Sequence, residues 1–402
     1  MTASAAWQAQ NPVVLAAAGA GSIVLAADPF CRCAAPDYWT WSENAHRTVM
    51  DAVAALDEPE ADPLVTRLGA DPTDPRAYRA LVGVLADRLR VGDDAAAKLA
   101  QAIWDAECVS RLRYHVGDAH PHPQAYPVVD AAELLGRLVT PPHHRTDPVD
   151  AAVIIPFRAA DDTTGRVRNL AATLNALHDQ THPRHRYRVV VVETDSRPRW
   201  RDLLAEACDV YVFARDPGRF NKSWAVNCGV VHGARPADAV CVLDADILVD
   251  RDFVARAVNR FQVPGTQAHW PFEDMLFLDA ASSLSAVHRR CLDGAAAVDQ
   301  AAARGVVLRR PPGGCLWLRE SLYRRIGGMD ERFCGWGGED QDLVWRAERY
   351  GPLDRHQDPI VHLDHQRSPH RGEHGVPFYA EISFCSWPCD AEFGDLRRND
   401  AG

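Results

Sequence analysis

The chain has 402 residues, which is enough for two or three domains and at least one sizeable hydrophobic core. Its formal net charge of -11 argues against nucleic acid or an anionic membrane as the main partner. The apolar run at residues 12–27 is too short to cross a bilayer and has no basic residue before it, so we expect no membrane span. Eleven scattered cysteines favour a cytoplasmic protein with reduced thiols.

The first part of the chain is predicted to be mainly helical. Gly19 and Gly21 interrupt the apolar run, so we predict two short strands there, residues 13–17 and 22–27, around a turn. Apolar residues then recur at helical spacing in residues 44–56, 75–91, 93–114 and 130–139. A hairpin followed by the aromatic residues 38–41 and helices would fit a small winged-helix-like module that grips a peptide. A plain helical cap or a dimer contact is the alternative that we favour.

An α/β pattern follows a Pro- and His-rich stretch, residues 141–148, that is predicted to be a linker. Short apolar strands at residues 152–155, 189–192, 210–213 and 240–243 alternate with helical segments. Such strands predict a parallel sheet covered on both faces, with ligands at the carboxyl ends of the strands. Polar residues stand at those ends: Arg158, Glu193, Arg215 and Asp244.

Phosphate binding by a glycine-rich loop is not expected, because neither a Gly-x-Gly-x-x-Gly nor a Gly-x-x-x-x-Gly-Lys motif is present. The Asp-x-Asp pair Asp244 and Asp246 follows an apolar strand instead, and carboxylates suit Mn²⁺ or Mg²⁺. A turn that caps the next helix is the alternative. A third ligand is expected from His362, with His365 as the second choice, although a lone histidine in an apolar stretch is more often packed in a core.

The segment at residues 335–342 predicts a sugar site. Trp336 offers a flat apolar face, and the glycines after it let the backbone pass close to a ligand. Glu339 and Asp340 open a helix and lie at its positive end. Simple stabilisation of that end is the alternative reading of the two carboxylates, and Asp342 is expected on the helix surface.

Residues 151–366 resemble a metal-dependent GT-A glycosyltransferase. The resemblance is to the β-1,4-galactosyltransferase and polypeptide N-acetylgalactosaminyltransferase groups and their bacterial family 2 relatives. It rests on motifs that occur in the family's order: Ile155-Pro156-Phe157-Arg158, Phe220-Asn221-Lys222, Leu243-Asp244-Ala245-Asp246, Gly313-Gly314, Ile326-Gly327-Gly328-Met329-Asp330 and Trp336-Gly337-Gly338-Glu339-Asp340. The fold that this implies is the GT-A nucleotide-sugar-binding fold, a Rossmann-like mixed α/β sheet, behind an N-terminal mainly helical domain.

The resemblance also implies roles. Mn²⁺, or Mg²⁺, is the implied cofactor and a UDP-sugar the implied donor. Asp246 is the surer metal ligand, and Asp244 binds the ribose or reaches the metal through water. Asp340 is the implied general base, and Glu339 binds hydroxyl groups of donor or acceptor. The residues that the resemblance places around the nucleotide and donor are Pro156, Phe157, Arg158, Glu193, Phe220, Lys222, Asp244, Gly314 and Trp336.

Glu-Asp at residues 339–340 is the galactosyltransferase pattern, whereas the retaining group tends to have Glu-Asn, so the resemblance favours transfer with inversion. We expect domains at residues 1–148 and 149–370 and a tail at 371–402. The acceptor would be a peptide, a glycan or a small natural product, with Phe272, Glu273 and Asp274 as candidates in the acceptor site. A homodimer is possible on the sequence. A catalytically inactive module that binds nucleotide sugar or glycan, and a retaining transferase, remain as alternatives.

Overall fold

The structure is a computed structural model, and it describes residues 11–121, 126–138, 148–161, 165–234, 236–367, 371–372 and 374–399. Most of the predicted linker at residues 141–148 lies outside these ranges. Contacts divide the chain into two compact units. The first comprises residues 1–126, 274–283 and 299–310, and the second comprises residues 127–273, 284–298 and 311–402. The predicted division at residues 148 and 370 stays a prediction.

Helices and strands follow one another along the whole described chain. The helices are α1 Pro12–Ala27, α2 Pro29–Ala34, α3 Pro36–Ala54, α4 Ala61–Ala70, α5 Pro75–Val91, α6 Asp94–Val109, α7 Ala131–Gly136, α8 Arg166–His178, α9 Arg201–Leu204, α10 Lys222–Gly229, α11 Phe253–Arg260, α12 Ala280–Val287, α13 Glu320–Arg325 and α14 Glu339–Glu348. The strands are β1 Leu112–Val116, β2 Val149–Phe157, β3 Tyr187–Asp195, β4 Val210–Arg215, β5 Ala237–Leu243, β6 Ile247–Leu248, β7 Ala268–Trp270, β8 Asp274–Leu278, β9 Arg304–Arg309, β10 Cys315–Arg319, β11 Asp354–Arg355 and β12 Val361–His362.

The prediction of two strands at the N-terminal apolar run is wrong, because residues 12–27 form the single helix α1. Oδ1 of Asn11 accepts from the N–H of Val13 and caps the helix, and Pro12 occupies its first turn. The glycines serve packing within the first unit: a Cβ at Gly19 would lie 2.8 Å from Cδ1 of Ile103. Glycine here marks a close contact between packed elements rather than a turn.

The predicted helix at residues 93–114 is also too long. It ends at Val109, and Leu112–Val116 forms β1, which pairs antiparallel with β9, as β9 does with β8. Two other boundaries shift as well: α3 begins at Pro36 and so includes the aromatic residues 38–41, and α7 ends at Gly136. Without the N-terminal hairpin the winged-helix-like expectation is not supported. The first unit is a helical layer around α1 with a three-stranded antiparallel sheet.

The second unit is built on a mixed sheet with the strand order β11-β7-β10-β5-β2-β3-β4. Strands β5, β2, β3 and β4 run parallel, and β10 runs antiparallel to β5 and β7. Strand β3 is buried along its whole length, as expected for a strand covered on both faces. The predicted α/β class and its four parallel strands are confirmed. None of the described helices is both long and apolar enough to cross a bilayer.

Candidate active site

A turn after β5 places Asp246 beside the two candidate histidines. Strand β6 begins directly after Asp246 and pairs antiparallel with β12, so that His362 lies opposite Ile247. The N–H of Leu363 donates to the carbonyl of Asp246 at 2.8 Å, and Oγ1 of Thr173 donates to the carbonyl of Ala245 at 3.1 Å. The backbone on both sides of Asp246 is therefore fixed by hydrogen bonds.

Three potential metal ligands converge at this turn. Asp246, His362 and His365 offer ligand atoms that lie within 4.8 Å of one another. Nε2 of His362 is 3.3 Å from Oδ1 of Asp246, and Nε2 of His365 is 2.7 Å from Oδ2. The sequence offered His365 only as the second choice to His362, whereas the structure brings both to the same carboxylate.

The hydrogen bonds of the two histidines fix the orientation of both rings, with Nε2 towards Asp246. Nδ1 of His362 donates to the carbonyl of Leu363 at 2.8 Å, and Nδ1 of His365 donates to that of Gln366 at 2.9 Å, because a carbonyl only accepts. Burial lowers the pKa of His362 to about 3, so its imidazole is neutral. The neutral ring of His362 directs the lone pair of its Nε2 towards this turn, and Oδ1 of Asp246 is buried without a donor among the described residues. Such a set of lone pairs fits a cation.

Asp244 forms an ion pair with Lys222, which also contacts Asp340. Its Oδ1 is 2.7 Å from Nζ of Lys222, and the same Nζ is 2.9 Å from Oδ2 of Asp340. Burial alone would lower the pKa of Lys222, but the neighbouring carboxylates outweigh it and hold that pKa well above its usual value. Lys222 is thus a permanent cation between the strand that leads to the metal ligands and the helix that carries Asp340.

Gly313 makes room for the carboxylate of Asp340. A Cβ at residue 313 would lie 1.9 Å from Oδ2 of Asp340, so no larger residue fits without moving that side chain. The next residue, Gly314, accepts from the N–H of Asp244 at 2.9 Å and has a φ of 96°, which favours glycine. The two glycines of the motif therefore serve two different carboxylates.

Glu339 is buried beside Asp340 at the first turn of α14. Burial, and then repulsion from Asp340, raise the pKa of Glu339 to about 8. Its Oε2 has no hydrogen-bond partner among the described residues. A carboxyl group that holds a proton at neutral pH can donate to an oxygen of a ligand, which an ionised carboxylate cannot.

The residues predicted around the nucleotide lie at the carboxyl ends of β2 and β3. Pro156 and Phe157 are buried within β2, and Arg158 follows the strand and donates to the carbonyl of Gly218 at 2.7 Å. Glu193 is also buried: it accepts from the backbone N–H groups of Arg199 and Trp200 and from the hydroxyl of Tyr211. In this state Glu193 orders the turn after β3, and its place beside a nucleotide stays a prediction.

Phe220 and Asn221 form hydrogen bonds with the loop before Trp336. The carbonyl of Phe220 accepts from the N–H of Gly335 at 2.9 Å. The amide of Asn221 caps α10 by accepting from the N–H of Trp224, and it donates to the carbonyl of Glu331 at 2.7 Å. The motif at 220–222 thus joins the start of α10 to the loop that leads to Glu339 and Asp340.

The glycines around Trp336 contact a segment of the chain itself. Gly335, Gly337 and Gly338 all have positive φ, and a Cβ at the last two would approach the ring of Tyr379 to 2.9 and 3.1 Å. The C-terminal segment, residues 377–388, therefore covers this loop, an arrangement that the sequence did not indicate. The indole of Trp336 is 43% exposed and so has a face for a ligand.

Asp342 is buried, so its predicted place on the helix surface is wrong. Its Oδ2 accepts from Nε of Arg346 at 2.7 Å, and its Oδ1 accepts from the N–H of Cys385 at 2.6 Å. NH1 of Arg346 donates to the carbonyls of Ile326 and Gly328, both at 2.7 Å. The pair ties α14 to the C-terminal segment and to the turn at residues 327–328. The i, i+4 spacing of opposite charges was the available signal for it.

The predicted acceptor candidates at residues 272–274 do not form one polar group. Phe272 is buried in the core of the second unit. The carbonyl and carboxylate of Glu273 accept from Arg355 and Gln357, at 3.4 and 3.5 Å. In the first unit, Oδ1 of Asp274 accepts from the N–H of Arg310. Each of these residues has a structural role in this state.

Two parts of the chain match known protein families. Residues 153–272 match the family described as glycosyl transferase family 2, and residues 308–356 match the family described as the N-terminal domain of galactosyltransferase. The first match contains Lys222, Asp244 and Asp246, and the second contains all three glycine-pair motifs, Glu339 and Asp340. No curated protein sequence gives a significant match to the chain.

Several solved structures are similar in part. A mannosyltransferase from Pyrobaculum calidifontis in complex with GDP-Man and Mn²⁺ is 20% identical, with 62% of each chain covered and a TM-score of 0.35. The chain therefore spans less than two thirds of that protein. The catalytic domain of Drosophila beta1,4galactosyltransferase 7 in complex with xylobiose is 17% identical, with 53% of this chain and 70% of that chain covered and a TM-score of 0.31. A mutant of the latter with manganese, UDP-Gal and xylobiose is 15% identical, with the same coverage and a TM-score of 0.30.

The two family matches lie on the mixed sheet and on the loops that carry Asp244, Asp246, Glu339 and Asp340, whereas His362 and His365 follow the end of the second match. They agree with the motifs found in the sequence, both in identity and in order. Residues 153–272 and 308–356 therefore belong to a glycosyltransferase domain that is built on the mixed α/β sheet.

Proposed function

We propose that the chain transfers a sugar from a nucleotide donor, a UDP-sugar by the pattern of its motifs, to a hydroxyl group of a peptide, a glycan or a small natural product. The observation that carries this proposal is the convergence at one turn of two imidazole nitrogens and of a buried carboxylate oxygen that has no donor among the described residues. Lys222 contacts both Asp244, at that turn, and Asp340. The carboxylate of Asp340 is suited to accept a proton.

Asp246, His362 and His365 would hold the cation. Two imidazole nitrogens favour Mn²⁺ over Mg²⁺, because Mg²⁺ prefers oxygen ligands almost exclusively. When bound there, the ion would supply positive charge against the leaving diphosphate. The buried, neutral state of His362 supports this role, since a protonated imidazole has no lone pair to offer.

Asp340 would act as the general base. Lys222 orients one of its carboxylate oxygens, and the residue lies in the first turn of α14. Displacement assisted by a base on the acceptor side proceeds with inversion at the anomeric carbon. Glu339, protonated at neutral pH, would donate a hydrogen bond to a hydroxyl oxygen of donor or acceptor, and Trp336 would stack on a sugar ring.

Ligand-induced stabilisation tests donor binding. The melting temperature of the full chain would be measured with Mn²⁺ and a panel of UDP-sugars, since a ligand that binds only the folded protein raises it. We expect one or more donors to raise it only when Mn²⁺ is present. Asp246→Asn should abolish that rise, whereas Asp252→Asn, a control at a side chain that is 57% exposed, should not. An equal rise in EDTA would refute the metal site.

Asp340→Asn tests the base. The amide keeps the shape of the side chain and cannot accept the proton, so we expect donor binding to be retained and transfer to fall by about 10²–10⁴-fold. Glu348→Gln, at the exposed end of the same helix, is the matched control. A variant with an unchanged transfer rate would show that another group takes the proton.

A further inference from the structure

Arg367 lies beside one of the candidate metal ligands. Its NH1 is 3.4 Å from Nε2 of His362. Because Nδ1 of His362 already donates to the carbonyl of Leu363, Nε2 is the acceptor in this contact. A guanidinium remains charged in proteins, so a fixed positive charge shares the lone pair that a metal ion would use.

The backbone before Arg367 is anchored to the start of α8. Arg168 and Asn169 both donate to the carbonyl of Asp364, at 3.2 and 3.1 Å, and Arg166 donates to the carbonyl of Gln366 at 3.2 Å. These hydrogen bonds fix the main chain that leads to Arg367. A change in the position of the guanidinium would therefore come from rotation of the long side chain. They also bring two further arginines to this place in a chain of net charge -11.

A cation bound to Nε2 of His362 would displace the guanidinium. Both cannot use one lone pair, and two positive charges repel one another at this distance. The displaced guanidinium of Arg367, which the carboxylates of Asp246 and Asp364 also attract, can bind a further anionic group. A diphosphate that binds to the same cation would bring anionic oxygens next to it, and an arginine can bind such oxygens with two parallel hydrogen bonds.

We propose that Arg367 couples metal binding to diphosphate binding: it competes with the metal for His362 when no nucleotide is bound, and it binds the diphosphate once metal and nucleotide are both present. This inference rests on the proposed function. The coupling predicts that the chain binds the metal weakly in the absence of nucleotide and tightly in its presence. By thermodynamic linkage, the metal raises the affinity for the nucleotide by the same factor by which the nucleotide raises the affinity for the metal.

The test is a titration of Mn²⁺ into the full chain, followed by the electron paramagnetic resonance signal of free Mn²⁺ in the absence of nucleotide and with saturating UDP or GDP. It compares the wild type with Arg367→Met, which removes the charge, and Arg367→Lys, which keeps it. Arg397→Met, at a side chain that is 84% exposed, is the control.

We expect Arg367→Met to bind Mn²⁺ alone more tightly than the wild type. The factor by which nucleotide tightens Mn²⁺ binding should fall at least about fivefold in that variant. Arg367→Lys should retain part of the factor, and it answers the question if the methionine variant does not fold. Arg397→Met should match the wild type.

An unchanged factor in Arg367→Met, or weaker binding of Mn²⁺ alone, would overturn the coupling role while Mn²⁺-dependent nucleotide binding still stood. Failure of the wild type to bind either nucleotide with Mn²⁺ would instead overturn the proposed function, and the coupling role with it.

Discussion

The ammonium group of Lys222 lies 2.9 Å from Oδ2 of Asp340. This contact connects the first residue of α10 with the second residue of α14, although 118 positions separate the two side chains in the sequence. The lysine side chain is 9% exposed, so the pair is shielded from most of the surrounding water. Lys222 therefore has a structural partner in the helix α14, in addition to its predicted place around the nucleotide and donor.

Replacing Lys222 by Met should destabilise the chain and impair transfer. The carboxylates of Asp244 and Asp340 would lose their shared cation, and we expect the free energy of unfolding to fall by up to about 3 kcal/mol, less than for a fully buried pair because water reaches both carboxylates. Urea denaturation measures this change. Lys98→Met, at the only other lysine of the sequence, should cause no measurable change because that side chain is exposed.

Gly313→Ala should impair transfer more than folding. The new Cβ would lie 1.9 Å from Oδ2 of Asp340, so the carboxylate must leave its position beside Lys222. We expect a large fall in kcat with Mn²⁺-dependent nucleotide binding retained. The control is Gly83→Ala, an exposed site in α5 with open space around it, which should stabilise the helix by about 0.5–1 kcal/mol. If Gly313→Ala transferred sugar at the wild-type rate, the exact position of Asp340 would not matter.

Asp342→Asn should destabilise the second unit. It leaves the guanidinium of Arg346 buried without an opposite charge, which we expect to cost about 3 kcal/mol of unfolding free energy. Circular dichroism during urea denaturation gives the value, and Glu348→Gln on the same helix serves as the comparison. Equal stability of the two variants would mean that the hydrogen bonds of the amide replace the ion pair.

Acid should destabilise the first unit through His46. Nδ1 and Nε2 of this buried histidine lie 3.0 Å from the hydroxyls of Ser22 and Ser110, and burial lowers its pKa to about 4. The folded state therefore disfavours the proton that the unfolded chain takes up near pH 6.5. Stability from this site is fully present above pH 6.5 and is lost as the pH falls towards 4, with a slope of about 1.4 kcal/mol per pH unit.

Unfolding free energies at pH 7, 6 and 5 would measure that slope. In His46→Gln the slope of unfolding free energy against pH should be smaller by the contribution of His46. Other buried histidines, such as His269, still contribute to the slope in this variant. His288→Gln is the surface control. A slope that is identical in His46→Gln and the wild type would exclude His46 as its source.

The sequence was most informative where the local pattern and the final environment agree. Residues 189–192 are apolar without interruption, and this marks a strand covered on both faces wherever it lies in the sheet. The motifs around Asp246 and Asp340 were found for a similar reason, because a carboxylate next to a strand end or a glycine pair is a short-range signal. The family matches later fell on the same residues.

The features that the sequence did not reveal depend on contacts between distant residues. Gly19 has the same local appearance in a turn and in a tightly packed helix, and only its contact with Ile103 decides between them. Likewise, the strand Leu112–Val116 exists because β9 pairs with it, nearly 200 residues later. Arg367 could have been noticed two residues after His365, but its spacing alone does not show that it faces His362.

The cover that Tyr379 places over Gly337 and Gly338 has a consequence for how the protein is made. A ribosome releases the chain from its N-terminus, so α14 emerges some forty residues before the segment that packs on its first turn. The N–H of Cys385, which binds Asp342, emerges later still. The central sheet can therefore assemble during translation, whereas the loop that holds the base reaches its final form only when these late residues have left the ribosome.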